Sequence, residues 1–293
     1  MPKFTQKRYS DLQNSVQISD SGNFSLQKTL LCGQIFRVFE TENGFIVPFN
    51  RSLLKLLQEK DKIYCTAYGK PVSQAEIKKF LGINDNIDDI NGELIRKEAK
   101  FSQIIQYGKG LRIMRQNPYE TTISFLFSIW NSIPVIKRKL NLLSEIAGEG
   151  IKIDGTMYYF FPTSEALKNL DAQSVKKLHL GFREKWFVDF VQNYDKTFFA
   201  HILKKSFEEK GKKLLGIKGV GEKVAHCILL FSMNELSAFP VDVWIKRGMY
   251  ELFGVKGSSK KVTEIGRGMS VSYTHLRAHE TPEHLVCRLL LEK

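Results

Sequence analysis

Leu214-Leu215-Gly216-Ile217-Lys218-Gly219-Val220-Gly221-Glu222-Lys223-Val224-Ala225, with Pro240-Val241-Asp242-Val243-Trp244 after it, is the stretch that decides how this chain folds. Ser206–Leu215 is rich in Lys and Glu, ends in two leucines and reads as a helix stopped by Gly216. Val224, Cys227, Ile228 and Phe231 recur at i, i+3, i+4 and i+7, one apolar stripe of a second helix. Between the two, Gly219-Val220-Gly221 forms a short turn that exposes backbone N–H groups at a helix N-terminus, which suits a phosphate. Pro240 stops the chain and places Asp242 just inside a further helix, Asp242–Phe253, ended by Gly254. The unit is helix–hairpin–helix, with Lys223 in the first turn and a carboxylate downstream.

A lysine beside a helix N-terminus can have its amine pKa lowered, and a neutral amine is a nucleophile. A carboxylate nearby can hold charge or move protons. Plainer readings exist for each piece. Gly-x-Gly before a helix is often only a tight turn, a first-turn lysine is usually solvated, and Asp242 at a helix start is an ordinary N-terminal charge.

Bulk properties narrow the partner. The 293 residues, 43% of them hydrophobic, suffice for two domains with their own cores. Lys and Arg number 44 against 31 Asp and Glu, and the resulting +13 points to a polyanion, most simply nucleic acid. An acidic membrane surface is the rival, but no amphipathic basic helix stands out. No run of 18 apolar residues occurs and Met1-Pro2-Lys3 leads into no signal-like stretch, so the expectation is a soluble, intracellular protein that engages no membrane. Cys32, Cys65, Cys227 and Cys287 form no Cys-x-x-Cys pair, and no metal or iron–sulfur site is expected.

Leu31-Cys32-Gly33-Gln34-Ile35-Phe36-Arg37, Pro118–Trp130, Phe161-Pro162-Thr163 and Leu180-Gly181-Phe182-Arg183 precede the hairpin. In this order, and over about residues 10 to 268, the chain resembles the 8-oxoguanine DNA glycosylases of the helix–hairpin–helix DNA glycosylase superfamily. The resemblance implies a bifunctional enzyme, a DNA N-glycosylase with lyase activity at the abasic site, with Lys223 as nucleophile through a Schiff base and Asp242 stabilising the cationic sugar. It implies that N–H groups around Gly219 and Gly221 grip a phosphate, that the Gly33 carbonyl accepts the N7–H of 8-oxoguanine, and that Phe182 and Arg183 are a wedge and base-reading pair. Cys227 is placed to contact the extruded base or, equally, to pack as a small core residue. Trp244 stands where some relatives carry a histidine near the lesion phosphate; a buried core Trp is the other reading. Asn131 lies in the helix-end segment that fills the gap, but Trp130 and Val135 replace an asparagine and an arginine common in relatives. Weaker discrimination for cytosine opposite the lesion follows as an expectation.

The partner implied is damaged duplex DNA, met by a monomer that is cytoplasmic, DNA-associated and prokaryotic. No diffusible cofactor is required; a monovalent cation at the hairpin carbonyls is implied by the resemblance alone. Two other functions stay open: a non-catalytic helix–hairpin–helix DNA-binding protein, and a glycosylase for another damaged base.

The fold class expected is α+β. Residues 1–100 read as a small antiparallel β-rich domain and 101–269 as a mostly helical helix–hairpin–helix domain, after a loose lead-in over 1–20. Phe36–Glu40 and Phe45–Phe49 alternate around Glu42-Asn43-Gly44, a hairpin signal. Leu54–Gln58 and Lys62–Ala67 read as strands, Gln74–Leu81 as a short helix, and Arg96–Tyr107, Pro118–Trp130 and Pro134–Ala147 as amphipathic helices. Residues 270–293 read as foreign: Val271–Thr281 resembles one frame of a transposase-type sequencing adapter, and Pro282–Lys293 its continuation. The alternative is a genuine C-terminal helix with Leu285, Val286, Leu289 and Leu290 on one face. On the adapter reading, His275, His279 and His284 are no metal site, and a family helix carrying a base-stacking aromatic would be missing beyond about Gly268.

Overall fold

A computed structural model describes residues 16–19 and 23–271 of the chain; the segment read as adapter translation lies outside the described residues from 272 onward. Its first part is a five-stranded antiparallel sheet in the order β1-β5-β4-β3-β2. The strands are β1 (Val16–Ser19), β2 (Phe39–Thr41), β3 (Gly44–Phe49), β4 (Ser52–Glu59) and β5 (Lys62–Gly69), with helix α1 (Leu26–Leu31) between β1 and β2. Val47, Leu54, Leu56, Ile63 and Cys65 point into one core beneath α1 and α2 (Gln74–Leu81), as period-2 alternation requires. Helix α2 has the bounds its sequence announces. Ser73 and Glu76 close a capping box at its start, and Gly82 ends it in the left-handed region at φ +71°.

Four expectations need correction here, the first being that the helix expected over Pro118–Trp130 stops at Ser128, where Ile129 turns extended and Trp130 left-handed. The β2–β3 hairpin forms, with Phe39 opposite Ile46, but the strand starts at Phe39 and not Phe36. Phe36 turns away to meet Phe125 at 5.3 Å between ring centroids, because a helical core lies on that side. Residues 16–19, read as loose, pair with β5 as an edge strand (Ile18 opposite Ile63). The single helix expected over 96–107 is two, α3 (Ile87–Lys97) and α4 (Phe101–Tyr107), separated where Glu98 takes an extended backbone.

The helical part continues with α5 (Pro118–Ser128), α6 (Ile133–Ala147), the β6–β7 hairpin (Gly150–Ile153, Thr156–Tyr159), α7 (Ser164–Lys168), α8 (Ala172–Lys177), α9 (Arg183–Asn193), α10 (Lys196–Ile202), α11 (Phe207–Leu215), α12 (Glu222–Ser232), α13 (Val243–Phe253) and α14 (Ser259–Val271). Side chains at the helix N-termini take up N–H groups that would otherwise lack partners: Asn117 for α5, Thr163 for α7, Asp171 for α8, Asp195 for α10 and Ser206 for α11. Helices α5 and α12 form the centre of the largest core, with Phe127, Leu140, Phe187, Phe190 and Ile228 fully buried. A separate core joins α3 and α4 to residues from the far end of the chain: Ile90 and Phe101 pack with Phe239, Ile245, Met249 and Val262. No helix among the described residues is long and apolar enough to cross a membrane.

Candidate active site

The hairpin is built mostly from its own backbone. Ile217 N–H donates to Leu214 (3.0 Å), Val220 N–H to Ile217 (3.0 Å) and Ala225 N–H to Gly221 (2.9 Å). Ile217 and Val220, 2% and 6% exposed, anchor the turn in the main core. Gly219 sits at φ +87°, and a Cβ there would come within 2.6 Å of the Trp186 ring, so glycine is required twice over. Gly221 is the N-cap of α12 and supplies no side-chain cap. The first-turn N–H groups of α12 thus form an N-terminus suited to an anion.

Lys223 lies in that first turn, its Nζ 5.9 Å from the centroid of Phe125. Asp242 is the N-cap of α13 itself, one position outside the helix expected; its Oδ1 accepts from the N–H groups of Trp244 (3.0 Å) and Ile245 (2.9 Å). Capping wins because an extended residue before the helix lets a short carboxylate reach back to the second and third N–H groups. Lys223 and Asp242 line one cleft of about 570 Å³ with Gly219, Gly221, Ser128, Ile129 and Trp130. Lys246, one turn beyond Asp242, and Ser259 at the start of α14 complete another wall.

Gly33 is not among the residues that line this cleft. It sits at φ +98°, and a Cβ built on it would meet Ile133 Cδ1 at 3.6 Å, beside the start of α6. Gln34 holds that loop in place. Its fully buried amide donates to the carbonyls of Thr29 and Arg112 (2.8 Å each) and accepts from Met114 N–H (2.9 Å). Its own carbonyl accepts from Gln116 Nε2 at 2.6 Å. A buried amide satisfied on both ends fixes a loop geometry that no local turn signal would specify.

Arg37, next in the motif, is 2% exposed and donates to the Tyr159 carbonyl at 2.6 Å. Glu120 Oε1 is 3.9 Å from its Nη1. Burial pushes the Glu120 carboxyl up to about 7 against the downward pull of Arg37.

The other expected site residues divide. Phe182 is 55% exposed, as a wedge needs, and meets Trp186 edge-on at 5.1 Å. Arg183 is 7% exposed; its Nε donates to the Ile129 carbonyl at 2.5 Å and its Nη1 to Leu180 at 3.2 Å. In this arrangement it braces the 129–131 turn, and presenting it to a base would require those bonds to open. Asn131 Nδ2 donates to the Phe127 carbonyl at 2.8 Å, closing the end of α5. Cys227, 2% exposed, packs in the main core and does not line the cleft, the second of its two readings. Trp244, 37% exposed, is not a buried core residue.

Sequence reasoning missed Lys246, Trp186 and Lys139. Lys246 could have been found four residues after Asp242, on the same helical face. Trp186 follows Phe182 by the same interval, but its contact with Gly219 is purely tertiary. Lys139, 9% exposed, donates to the carbonyls of Leu178 and His179 and so ties down the loop before the wedge. Burial, then Arg183 and Arg138, hold its ammonium below the usual lysine range. Among the described residues no group of three or more His, Cys, Asp or Glu could hold a metal ion.

Comparison with known proteins places this architecture. The family model for the 8-oxoguanine DNA glycosylase N-terminal domain matches residues 16–122. The 8-oxoguanine glycosylase/lyase of Clostridium acetobutylicum, in complex with double-stranded DNA containing cytosine opposite 8-oxoG, superposes with a TM-score of 0.86 at 29% identity over 96% of both chains. Its apo-form does so at 0.83 and 30% identity, over 93% of this chain and 95% of that one. The N-glycosylase/DNA lyase OGG1 of Arabidopsis thaliana is 28% identical over 234 residues, 75% of this chain but 64% of that protein. The N-glycosylase/DNA lyase of Saccharomyces cerevisiae is 34% identical over 153 residues, 41% of its length, so the chain spans less than two thirds of these curated relatives. An archaeal 3-methyladenine DNA-glycosylase shares the fold at 15% identity, TM-score 0.75. The match along nearly the whole of a solved glycosylase/lyase, together with the N-terminal domain match, shows that this chain belongs to the 8-oxoguanine DNA glycosylase/lyase family.

Proposed function

We propose that the protein excises 8-oxoguanine from duplex DNA and cleaves the strand at the resulting abasic site. The observation that carries this reading is the convergence of Lys223, Asp242 and the Gly219–Gly221 turn on one cleft. The damaged nucleotide leaves the stack to reach that cleft, at a cost of a few kcal/mol. The N-terminus of α12 receives a phosphate beside it, and Lys246 adds positive charge to the same wall.

Lys223, as the neutral amine, attacks C1′ of the deoxyribose while the bond to the base breaks and the base leaves with the electron pair. Asp242 opposes the positive charge that builds on the sugar. Ring opening gives the Schiff base, loss of a proton from C2′ follows, and β-elimination breaks the 3′ C–O bond with the phosphate as leaving group. The Gly33 carbonyl accepts the N7–H that distinguishes 8-oxoguanine from guanine; guanine offers an acceptor there, and two facing acceptors repel. Gln34 supports this role by fixing the loop on which Gly33 sits.

The turn also offers backbone carbonyl oxygens, the donor type a monovalent cation takes, and such an ion would tie the turn to the DNA backbone. No diffusible redox cofactor enters the reaction. The partner is damaged duplex DNA, met by a monomer in the cytoplasm of a prokaryote. The test is borohydride trapping on duplex DNA containing 8-oxoguanine. A covalent adduct is expected with this chain and none with Lys223→Gln; no adduct from either returns the reading to a DNA-binding protein without chemistry.

A further inference from the structure

Trp130 takes no part in the chemistry above, yet the fold holds it at the cleft in an unfavourable state. Its side chain is 91% exposed, although an indole has more apolar surface to gain from burial than almost any other side chain. Its backbone sits at φ +54°, the left-handed region that disfavours residues with a Cβ. Strain of this kind persists only where surroundings over-determine it. Here they do. Asn131 N–H donates to Ser128 at 3.2 Å, Asn131 Nδ2 donates to Phe127 at 2.8 Å, and the buried Arg183 donates to Ile129 at 2.5 Å.

That same guanidinium lies 4.3 Å from the ring centroid of a second exposed aromatic, Phe182. One buried cation therefore braces both the turn that carries Trp130 and the loop that carries Phe182. Exposed aromatics at the edge of a cleft in a strongly basic chain are the groups that stack on bases. A nucleotide drawn into the Lys223 cleft leaves a gap and an unpaired partner base behind it.

We infer that Trp130 enters the duplex and stacks its indole on the unpaired base opposite the extruded nucleotide, next to Phe182. The inference rests on the glycosylase reading and adds a residue to it. Stacking uses the face that every base has, so Trp130 holds the gap open with little regard to which base lies opposite. Exposure and strain are then explained together: the ring is buried only when DNA arrives.

The test is binding to a duplex with tetrahydrofuran, an abasic-site analogue without a base, opposite 2-aminopurine. The chain is compared with Trp130→Ala and Trp130→Asn, and with an intact duplex as reference. The expected result is about tenfold weaker binding to the tetrahydrofuran duplex for both variants. Quenching of 2-aminopurine is expected with Trp130 and not without it. Because tetrahydrofuran has no base to extrude, that loss cannot come from stacking inside the cleft. Trp130→Asn is also expected to melt no lower than the parent, since asparagine tolerates the left-handed region, which separates a binding defect from a folding one. If the parent prefers the tetrahydrofuran duplex and both variants keep that preference with unchanged quenching, the inference fails alone. A Trp130 effect confined to 8-oxoguanine duplexes puts the indole on the extruded base and overturns it too. No preference by the parent overturns the glycosylase reading and this inference together.

Discussion

Two turns meet at the cleft, and they are held by opposite means. The 216–225 hairpin closes on bonds between near neighbours, Leu214 to Ile217, Ile217 to Val220 and Gly221 to Ala225. The 129–131 turn adds to its two local bonds, from Asn131 to Ser128 and Phe127, a brace from Arg183, 54 residues away, and the loop before Phe182 takes one from Lys139, some 40 residues away. A local motif carries its geometry wherever the chain places it. A braced turn exists only when the rest of the domain has folded. The turn beside Lys223 is built in the first way and the turn that carries Trp130 leans on the second, so the first should tolerate distant change better than the second.

The largest expected effect would break that contrast. Gly219→Ala adds a Cβ 2.6 Å from the Trp186 ring at φ +87° and should cost about 2–4 kcal/mol in urea unfolding. If the hairpin is local in shape and only its packing is long-range, Trp186→Ala should recover part of that loss, leaving the backbone penalty of about 1–2 kcal/mol. Gly221→Ala, where a Cβ meets nothing within 4 Å, should cost well under half as much as Gly219→Ala.

Next come the braces. Arg183→Met removes the side-chain donors to the Ile129 and Leu180 carbonyls, and Lys139→Met those to Leu178 and His179; each should cost about 1–3 kcal/mol. Amide hydrogen exchange should quicken at 129–131 in Arg183→Met and at 178–182 in Lys139→Met, while the 217–225 amides stay protected. Equal loosening of the hairpin would dissolve the distinction.

Asp242 sharpens it from the other side, because the proposed mechanism gives this helix cap a chemical role as well. Asp242→Ala should lower stability by about 1 kcal/mol through the lost cap. Asp242→Asn keeps an acceptor and should cost only a few tenths, yet excision should fall with either change, as single-turnover assays would show.

The smallest effects lie in the pH dependence. Burial raises the Glu120 carboxyl from 4.5 to about 7, so the folded state holds that proton more tightly than the unfolded chain. Its contribution is complete below about 4.5 and is lost as pH rises through about 7. Burial, then Arg267, lowers His226 from 6.5 to about 4; its contribution is complete above 6.5 and is lost as pH falls toward 4. The two oppose one another between these limits. Urea midpoints should therefore rise more steeply from pH 5 to pH 7 in Glu120→Gln than in the parent.

Much of this was legible in the residues. The hairpin helices, the strand pair around Glu42-Asn43 and the bounds of α2 all rest on contacts within a few positions, where propensity, capping and turn chemistry operate. What the residues hid was long-range. Phe36 looked like the start of a strand but packs on Phe125; Arg183, implied as a base reader, bonds to Ile129 here, which no local signal announces; Cys227 sat on an apolar stripe that served the core as easily as the cleft.

By itself, the sequence determined the helix–hairpin–helix unit with Lys223 at its second helix start, the aspartate at the start of the helix that follows, the α+β order of elements and a basic excess that suits a polyanion. Each follows from local backbone preference or from summed charge, which need no partner far along the chain. Only the tertiary structure decided that Lys223 and Asp242 share one cleft, that Trp186 covers Gly219, and that Trp130 stands exposed and strained at the edge. Those facts depend on which distant side chains arrive beside them, and packing and buried hydrogen bonds settle that only once the whole domain closes.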